Sequence, residues 1–270
     1  MNNDTLNTII NLILKSQNIV FLTGSGVSTT SGIPDYRGKT SAYWKKYEGN
    51  EYNYQNFLRS ENSRQKYWEM SADFFNMIQK ATPSIAHKAL AELEKCGALQ
   101  SIITQNVDGL HQKAGNLPAN ILEIHGTIHH VICLDCSTVY QSKDIYGRIQ
   151  KGIKVPYCDY CRGILKPAVI DFGQPLPKAQ MAKALKRTLD CDLFIAVGSS
   201  LIIQPAATLP IIAKEHQKTV VIINDMSTVC DQYANHIIHG ECGDILSKMV
   251  SELKQKRPVQ EPSFVYSQTG

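Results

Sequence analysis

No stretch of this chain is both long and apolar. Its longest uninterrupted apolar runs, such as Ile19 to Leu22 and Val220 to Ile223, fall far short of the roughly 20 residues a membrane-spanning helix needs. Runs of one charge sign are missing too. The 28 Lys and Arg nearly offset 24 Asp and Glu, and the resulting net charge of +4 is too small to point to a nucleic-acid or membrane surface. No internal repeat and no low-complexity segment occurs. No Lys or Arg precedes Lys15, so the start lacks the basic end of a secretory signal and the Arg content of an organelle presequence. The expectation is a soluble, cytoplasmic protein with no membrane partner.

What is present is enough for a sizeable core. With 270 residues, 43% of them hydrophobic, the chain fits one large domain carrying an insertion. Four of its eight cysteines form two pairs, Cys133-x-x-Cys136 and Cys158-x-x-Cys161. In a reducing compartment that pattern reads as a tetrahedral all-thiolate zinc site. Four protein ligands leave no position for water, so one structural zinc ion is expected rather than a catalytic one. Cys96, Cys191, Cys230 and Cys242 are scattered and read as small buried hydrophobes.

Helical periodicity covers residues 5–16, the stretch from Thr82-Pro83 to Gly97, 179–189 and 205–216. Short apolar strands are expected at 18–23, 99–104, 193–198 and 219–223. Near-continuous apolar strands alternating with helices imply a parallel sheet covered on both faces. The fold class expected is therefore α/β, a Rossmann-like parallel sheet with a small inserted zinc-binding module. The sheet domain is assigned residues 1–38, 82–128 and 166–253. Residues 39–81 form a helical, lid-like segment, 129–165 the zinc module, and 254–270 a flexible tail.

Polar residues collect where strands end. After the first strand comes Gly24-Ser25-Gly26, where a dinucleotide-binding fold puts its phosphate loop. The usual third glycine is Thr29, so on its own this motif reads equally as a tight turn. Pro34, Asp35, Arg37 and Gly38 extend it into a long loop shaped to hold a ligand. Thr104-Gln105-Asn106-Val107-Asp108 closes the second strand; it fits either amide recognition or an Asx turn. Gly198-Ser199-Ser200 and Asn224-Asp225 end two more strands, within reach of phosphate or ribose, with ordinary turn chemistry as the alternative. Glu123-Ile124-His125-Gly126 offers a titratable base, but His111, His129 and His130 are equally available from sequence.

Together these segments resemble the sirtuin family of NAD-dependent protein deacylases, from about residue 18 to about residue 245. GSGVSTTSGIPDYRG is similar to the family's GAGxSxxSGIPDFRG, with Ser25 for Ala and Tyr36 for Phe. TQNVDGLHQKAG, EIHG, the cysteine pairs, KPAVIDFGQPLP, GSSLIIQPA and IIN follow in family order. The resemblance implies that Gly24, Ser25, Gly26, Ser28, Pro34, Asp35, Tyr36 and Arg37 line NAD. Gln105, Asn106, Val107 and Asp108 would hold its nicotinamide ribose and amide. Gly198, Ser199 and Ser200 would meet its phosphate and ribose side, with Asn224, Asp225 and Cys242 beside the adenosine. His125 matches the family's general base, with Asn106 beside it in the catalytic set. Val169, Phe172 and Gly173 match the strip that clamps an acylated lysine of a protein substrate by strand addition. NAD would be consumed as co-substrate, giving free lysine, nicotinamide and O-acyl-ADP-ribose.

Residues 60–71 and 84–90 look most like the family's class II branch. Sirtuins that prefer acidic acyl groups carry a Tyr-x-x-Arg pair; here the place reads Tyr67-Trp68-Glu69-Met70, which implies an uncharged acyl group. The alternative functions are a mono-ADP-ribosyltransferase or NAD hydrolase. A nucleic-acid-binding zinc module ranks last, because Lys143, Arg148, Lys151, Lys154 and Arg162 exceed Asp135, Asp144 and Asp159 by only two charges. Nucleic acid is not an expected partner, and a monomer is expected.

Overall fold

A computed structural model of the protein describes residues 3–38 and 40–256. The flexible tail expected over 254–270 falls outside the described residues from 257 onward. Residues 254–256 close the last helix.

The main sheet has six strands in the order β3-β2-β1-β7-β8-β9, and every pairing is parallel. In chain order these are β1 (Ile19–Thr23), β2 (Ser101–Thr104), β3 (Ile121–Glu123), β7 (Leu193–Val197), β8 (Thr219–Asn224) and β9 (His236–His239). The apolar runs work because alternate side chains enter two different cores. Ile19 and Phe21, with Leu193, Ile195 and Val197, face the helices α1 (Asn3–Lys15), α5 (Ile85–Lys95) and α10 (Cys242–Lys256). Val20 and Leu22, with Phe194 and Ala196, face α8 (Lys178–Asp190) and α9 (Leu209–Glu215). The helix expected from Thr82 begins later, at Ile85. Ser84 caps it: its Oγ accepts the His87 N–H at 3.2 Å, satisfying a donor that the first turn would otherwise leave open.

The second lobe holds the two segments that break the strand–helix rhythm, and they share one core. Residues 40–81 contribute α2 (Ala42–Lys45), α3 (Tyr54–Arg59) and the long α4 (Glu61–Lys80). The cysteine-bearing segment forms a three-stranded antiparallel sheet, β5-β4-β6, from β4 (Gly126–Cys133), β5 (Val139–Gln141) and β6 (Leu165–Val169). This sheet extends past both ends of 129–165, because β4 starts just after β3, an edge strand of the main sheet, and β6 runs on to Val169. A helix, α7 (Ser142–Gln150), packs against it. Trp68 and Phe75 of α4 meet Tyr146 of α7 at ring-centroid distances of 5.7 and 4.2 Å. The aromatic residues of α4 are thus the missing core of a module too small to bury itself. Among the described residues no helix is long and apolar enough to cross a membrane.

Candidate active site and metal centre

The four cysteines expected to bind metal converge. All four Sγ atoms lie within 4.8 Å of one another, with Cys133–Cys161 at 3.5 Å and Cys136–Cys158 at 3.6 Å. A tetrahedral zinc with bonds of about 2.3 Å needs sulfur separations of about 3.8 Å, so the cluster fits one such ion. Backbone N–H groups of Cys136 and Gly163 point at Cys133 and Cys161 sulfur, and the Tyr140 O–H donates to Cys158 Sγ at 3.1 Å. These donors stabilise thiolate charge from outside the ligand set. The set is closed, which makes it structural.

The second centre lies at the carboxyl ends of β1, β2 and β7. Gly24 N–H donates to Val197 O at 3.1 Å and Gly26 N–H to Gly198 O at 2.8 Å. The two loops touch so closely that a Cβ on Gly26 would sit 2.8 Å from Gly198 Cα. Gly198 itself has φ of 60°, and a Cβ there would meet Val27 N at 2.8 Å, so no other residue fits. Asn106 donates from Nδ2 to Gly24 O at 3.0 Å and to Ser28 Oγ at 3.1 Å; Ser28 in turn donates to Asp108 Oδ2 at 2.7 Å. Asp108 Oδ1 accepts the Leu110 N–H at 2.9 Å, an Asx turn. Of the two readings of TQNVD the Asx turn is observed: one Asp108 oxygen caps the turn and the other anchors the loop network. Gln105 Nε2 donates to Ser199 Oγ at 2.8 Å, joining the β2 and β7 ends.

The structure separates the histidines that sequence could not rank. His111 is sealed in the core, its Nε2 2.9 Å from Thr23 Oγ1, and its rings pack edge-on against His87 at 4.8 Å. Burial pushes His87 down to about 4; burial and then the charge of His87 push His111 well below the usual imidazole value. His129 donates from Nε2 to Asp108 O at 2.9 Å. His130 pairs with Gln141 inside the small sheet. His125 is half-buried, as His129 and His130 are, but it follows the end of β3 and places its Nδ1 3.1 Å from Gln105 O at the end of β2. A carbonyl only accepts, so Nδ1 carries the proton and Nε2 is the free base. Desolvation lowers its pKa, and the Gln105 carbonyl partly opposes that.

The other expected positions divide. Asn224 is buried and donates to Met226 O at 2.7 Å. Cys242 donates its thiol to Gly26 O at 3.5 Å, and burial raises it to about 12, so it tethers α10 to the loop as a neutral group. Asp35 ties its own loop, accepting Gly38 N–H at 2.8 Å, while Tyr36 stacks on Trp44 at 4.4 Å and Arg37 is exposed. On the far side of His125, Val169 is half-buried, Phe172 is 66% exposed and Gly173 has φ of 84°. Tyr67 is buried and donates to Asp171 Oδ1 at 2.7 Å, and Met70 is half-buried. Sequence reasoning missed Ile170, whose N–H donates to His125 O at 2.9 Å and so sets the strip beside the imidazole. It also missed Ser84, whose Oγ donates to Val27 O at 2.7 Å behind the glycine loop. The apolar context of Ile170 gives no signal, but Ser84 carries one as a helix cap directly after a proline.

A parallel sheet with a glycine loop packed at its switch of direction, a half-buried histidine beside it and a four-thiolate lobe fit a nucleotide-dependent enzyme of the Rossmann type. Comparison with known proteins narrows this. Residues 24–205 match the model of the Sir2 family. The chain is 37% identical to an NAD-dependent protein deacetylase of Thermodesulfovibrio yellowstonii, over 91% of this chain and 94% of the relative. It is also 37% identical to NAD-dependent protein deacylase 2 of Archaeoglobus fulgidus, over 94% of this chain and 98% of the relative. A solved structure of Sir2 with a p53 peptide and NAD+ superposes with a TM-score of 0.81 at 30% identity, covering 93% of this chain and 98% of that one. The chain belongs to the Sir2 family.

Proposed function

We propose that this protein is an NAD-dependent protein-lysine deacylase that transfers the acyl group to ADP-ribose and releases nicotinamide. The observation that carries the reading is His125. Its Nδ1 is committed to Gln105 O, its Nε2 is left basic, and its own carbonyl holds the strip at Ile170. The side chain of His125 thus meets the end of β2 and its backbone meets the exposed strip, so one residue joins the two. Bound NAD supplies an anomeric carbon that an acyl oxygen attacks as nicotinamide leaves. Asn106, Ser28 and Asp108, already locked to the Gly24 loop, fix ribose and amide so that little ordering remains at the moment of reaction. His125 then takes the proton of a ribose hydroxyl.

Gly24, Ser25, Gly26 and the Pro34–Arg37 loop belong to the cofactor side in this reading, as do Gly198–Ser200, Asn224, Asp225 and Cys242. Val169, Phe172 and Gly173 receive the acylated segment, with Tyr67 and Met70 beneath. The position three residues after Tyr67 is Met70, not Arg, which favours an uncharged acyl group. The same reading makes the protein a cytoplasmic monomer, where reduced thiolates keep their zinc.

Nicotinamide release from NAD, measured with and without acyl-lysine peptides, tests this. Release should require the peptide, and His125→Ala should lower it by about 10²–10⁴. Because desolvation lowers the His125 pKa, the neutral base persists as pH falls, and the acid limb of the rate should lie below 6.5. Release indifferent to the peptide would replace this reading with an ADP-ribosyltransferase or NAD hydrolase.

A further inference from the structure

Beneath the exposed strip lies a charge that none of the chemistry above uses. Lys166 belongs to β6, in an otherwise apolar run, and its side chain is 1% exposed. An ammonium is costly to bury unless its charge and its donors are all matched. Lys166 Nζ lies 2.7 Å from Asp171 Oδ2, donates to Pro167 O at 3.2 Å, and donates also to Val169 O. Two hydrogen bonds to carbonyls and one ion pair thus hold the ammonium, and all three partners lie on its own segment, 167–171. Asp171 is tied down in turn, since its Oδ1 accepts the Tyr67 O–H at 2.7 Å. The rings of Tyr54 and Tyr67 stand 5.8 and 5.7 Å from Nζ. Desolvation lowers the Lys166 pKa and the Asp171 carboxylate opposes it, as a paired buried cation requires. Above this arrangement the chain runs through Ile170, bonded to His125 O, to Phe172 and the left-handed Gly173.

A strip that accepts another chain by strand addition must present its backbone groups in one conformation. If the strip is loose, each binding event bears the cost of ordering it. Apolar packing alone is non-directional and tolerates several backbone paths. Three acceptors fixed on one ammonium select a single path. We infer that the Lys166–Asp171 pair, steadied by Tyr67, is a clamp that pre-orders residues 169–173 for docking of the acylated peptide. Lys166 and Asp171 are therefore positioning residues for the peptide, not catalytic ones. This inference rests on the deacylase reading for its substrate, but the clamp itself can be tested without it.

The informative variant is Lys166→Met/Asp171→Leu, which removes both charges together and so leaves no unpaired ion in the core. Its melting temperature should stay near that of the parent. The KM for an acyl-lysine peptide should rise about tenfold, with kcat and the KM for NAD changed less than about twofold. In the protein without substrates, amide hydrogen exchange at residues 168–173 should speed up while that of β1 and β7 stays the same. If the double variant fails to fold, Tyr67→Phe removes only the hydroxyl that steadies Asp171 and should speed amide exchange at residues 168–173 about threefold in the protein without substrates, a readout that a contact of Tyr67 with the acyl group does not move. An unchanged peptide KM in an active variant overturns the inference, as does unchanged exchange in the strip. A parent enzyme that ignores acyl peptides would instead remove the deacylase reading, and the exchange comparison would still decide whether the pair holds the strip.

Discussion

The two sheets of this protein are held together by different means. In the six-stranded sheet every residue of β1, β2 and β7 is buried, and both faces are covered by helices. In the three-stranded sheet, by contrast, β5 has two of its three residues exposed. The larger sheet draws its stability from apolar area spread over many residues, so no single contact decides it. The smaller one concentrates its stability in four sulfur atoms and an aromatic patch borrowed from α4. His125 joins these two kinds of structure, with its Nδ1 on Gln105 O of one and its carbonyl on the Ile170 N–H of the other. One is rigid by packing and the other by a few discrete bonds.

Zinc removal should separate them most strongly. A structural four-thiolate site contributes on the order of 10 kcal/mol to folding of its module. Stripping the metal with a chelator, or Cys161→Ser, should abolish amide protection in β4, β5 and β6 while leaving that of β1, β7 and β8 nearly intact. Equal loss in both sheets would show a single cooperative unit and break the comparison. Gly198→Ala probes the larger sheet. A Cβ there meets Val27 N at 2.8 Å with φ at 60°, a strain of about 1–3 kcal/mol. NAD affinity, read by calorimetry, should fall well over tenfold, while zinc content stays at one ion. Retained affinity would mean that the two loops need not touch.

Acid should weaken the large sheet through two buried histidines. His87 and His111 are neutral in the fold, with His87 at about 4 instead of 6.5. Both folded values are depressed, so the unfolded chain binds more protons below pH 6.5. Stability is therefore constant above that value and is lost progressively as pH falls towards 4. Between pH 7 and 5, His87 alone should cost about 2 kcal/mol, on the order of 5 °C in melting temperature. His87→Gln should flatten part of that slope. An identical slope in the variant would assign the acid sensitivity to other groups.

Much of this was legible in the residues themselves. The apolar runs marked four of the six main strands, because a strand buried on both faces must be apolar throughout. β3 and β9 were missed: they are short edge strands, and Glu123 or the flanking His236 and His239 break the apolar signal. The cysteine spacing named its metal because two short turns suffice to aim four thiolates. The glycine loop and TQNVD were visible as positions but carried two readings each, since a turn and a ligand site use the same residue types.

Sequence by itself determined the parallel sheet, the four zinc ligands, the family resemblance and the order of the loops around the crevice. These follow from chain-local rules: periodicity, spacing and backbone geometry that a few adjacent residues impose. Only the tertiary structure decided which histidine sets its Nδ1 on the Gln105 carbonyl, that α4 completes the core of the zinc lobe, and that a lysine in an apolar run is held by residues 167–171. Each of those depends on what surrounds a side chain once distant segments meet. Burial, a partner at 2.7 Å and the direction of a carbonyl are properties of the folded neighbourhood, and no local spacing encodes them.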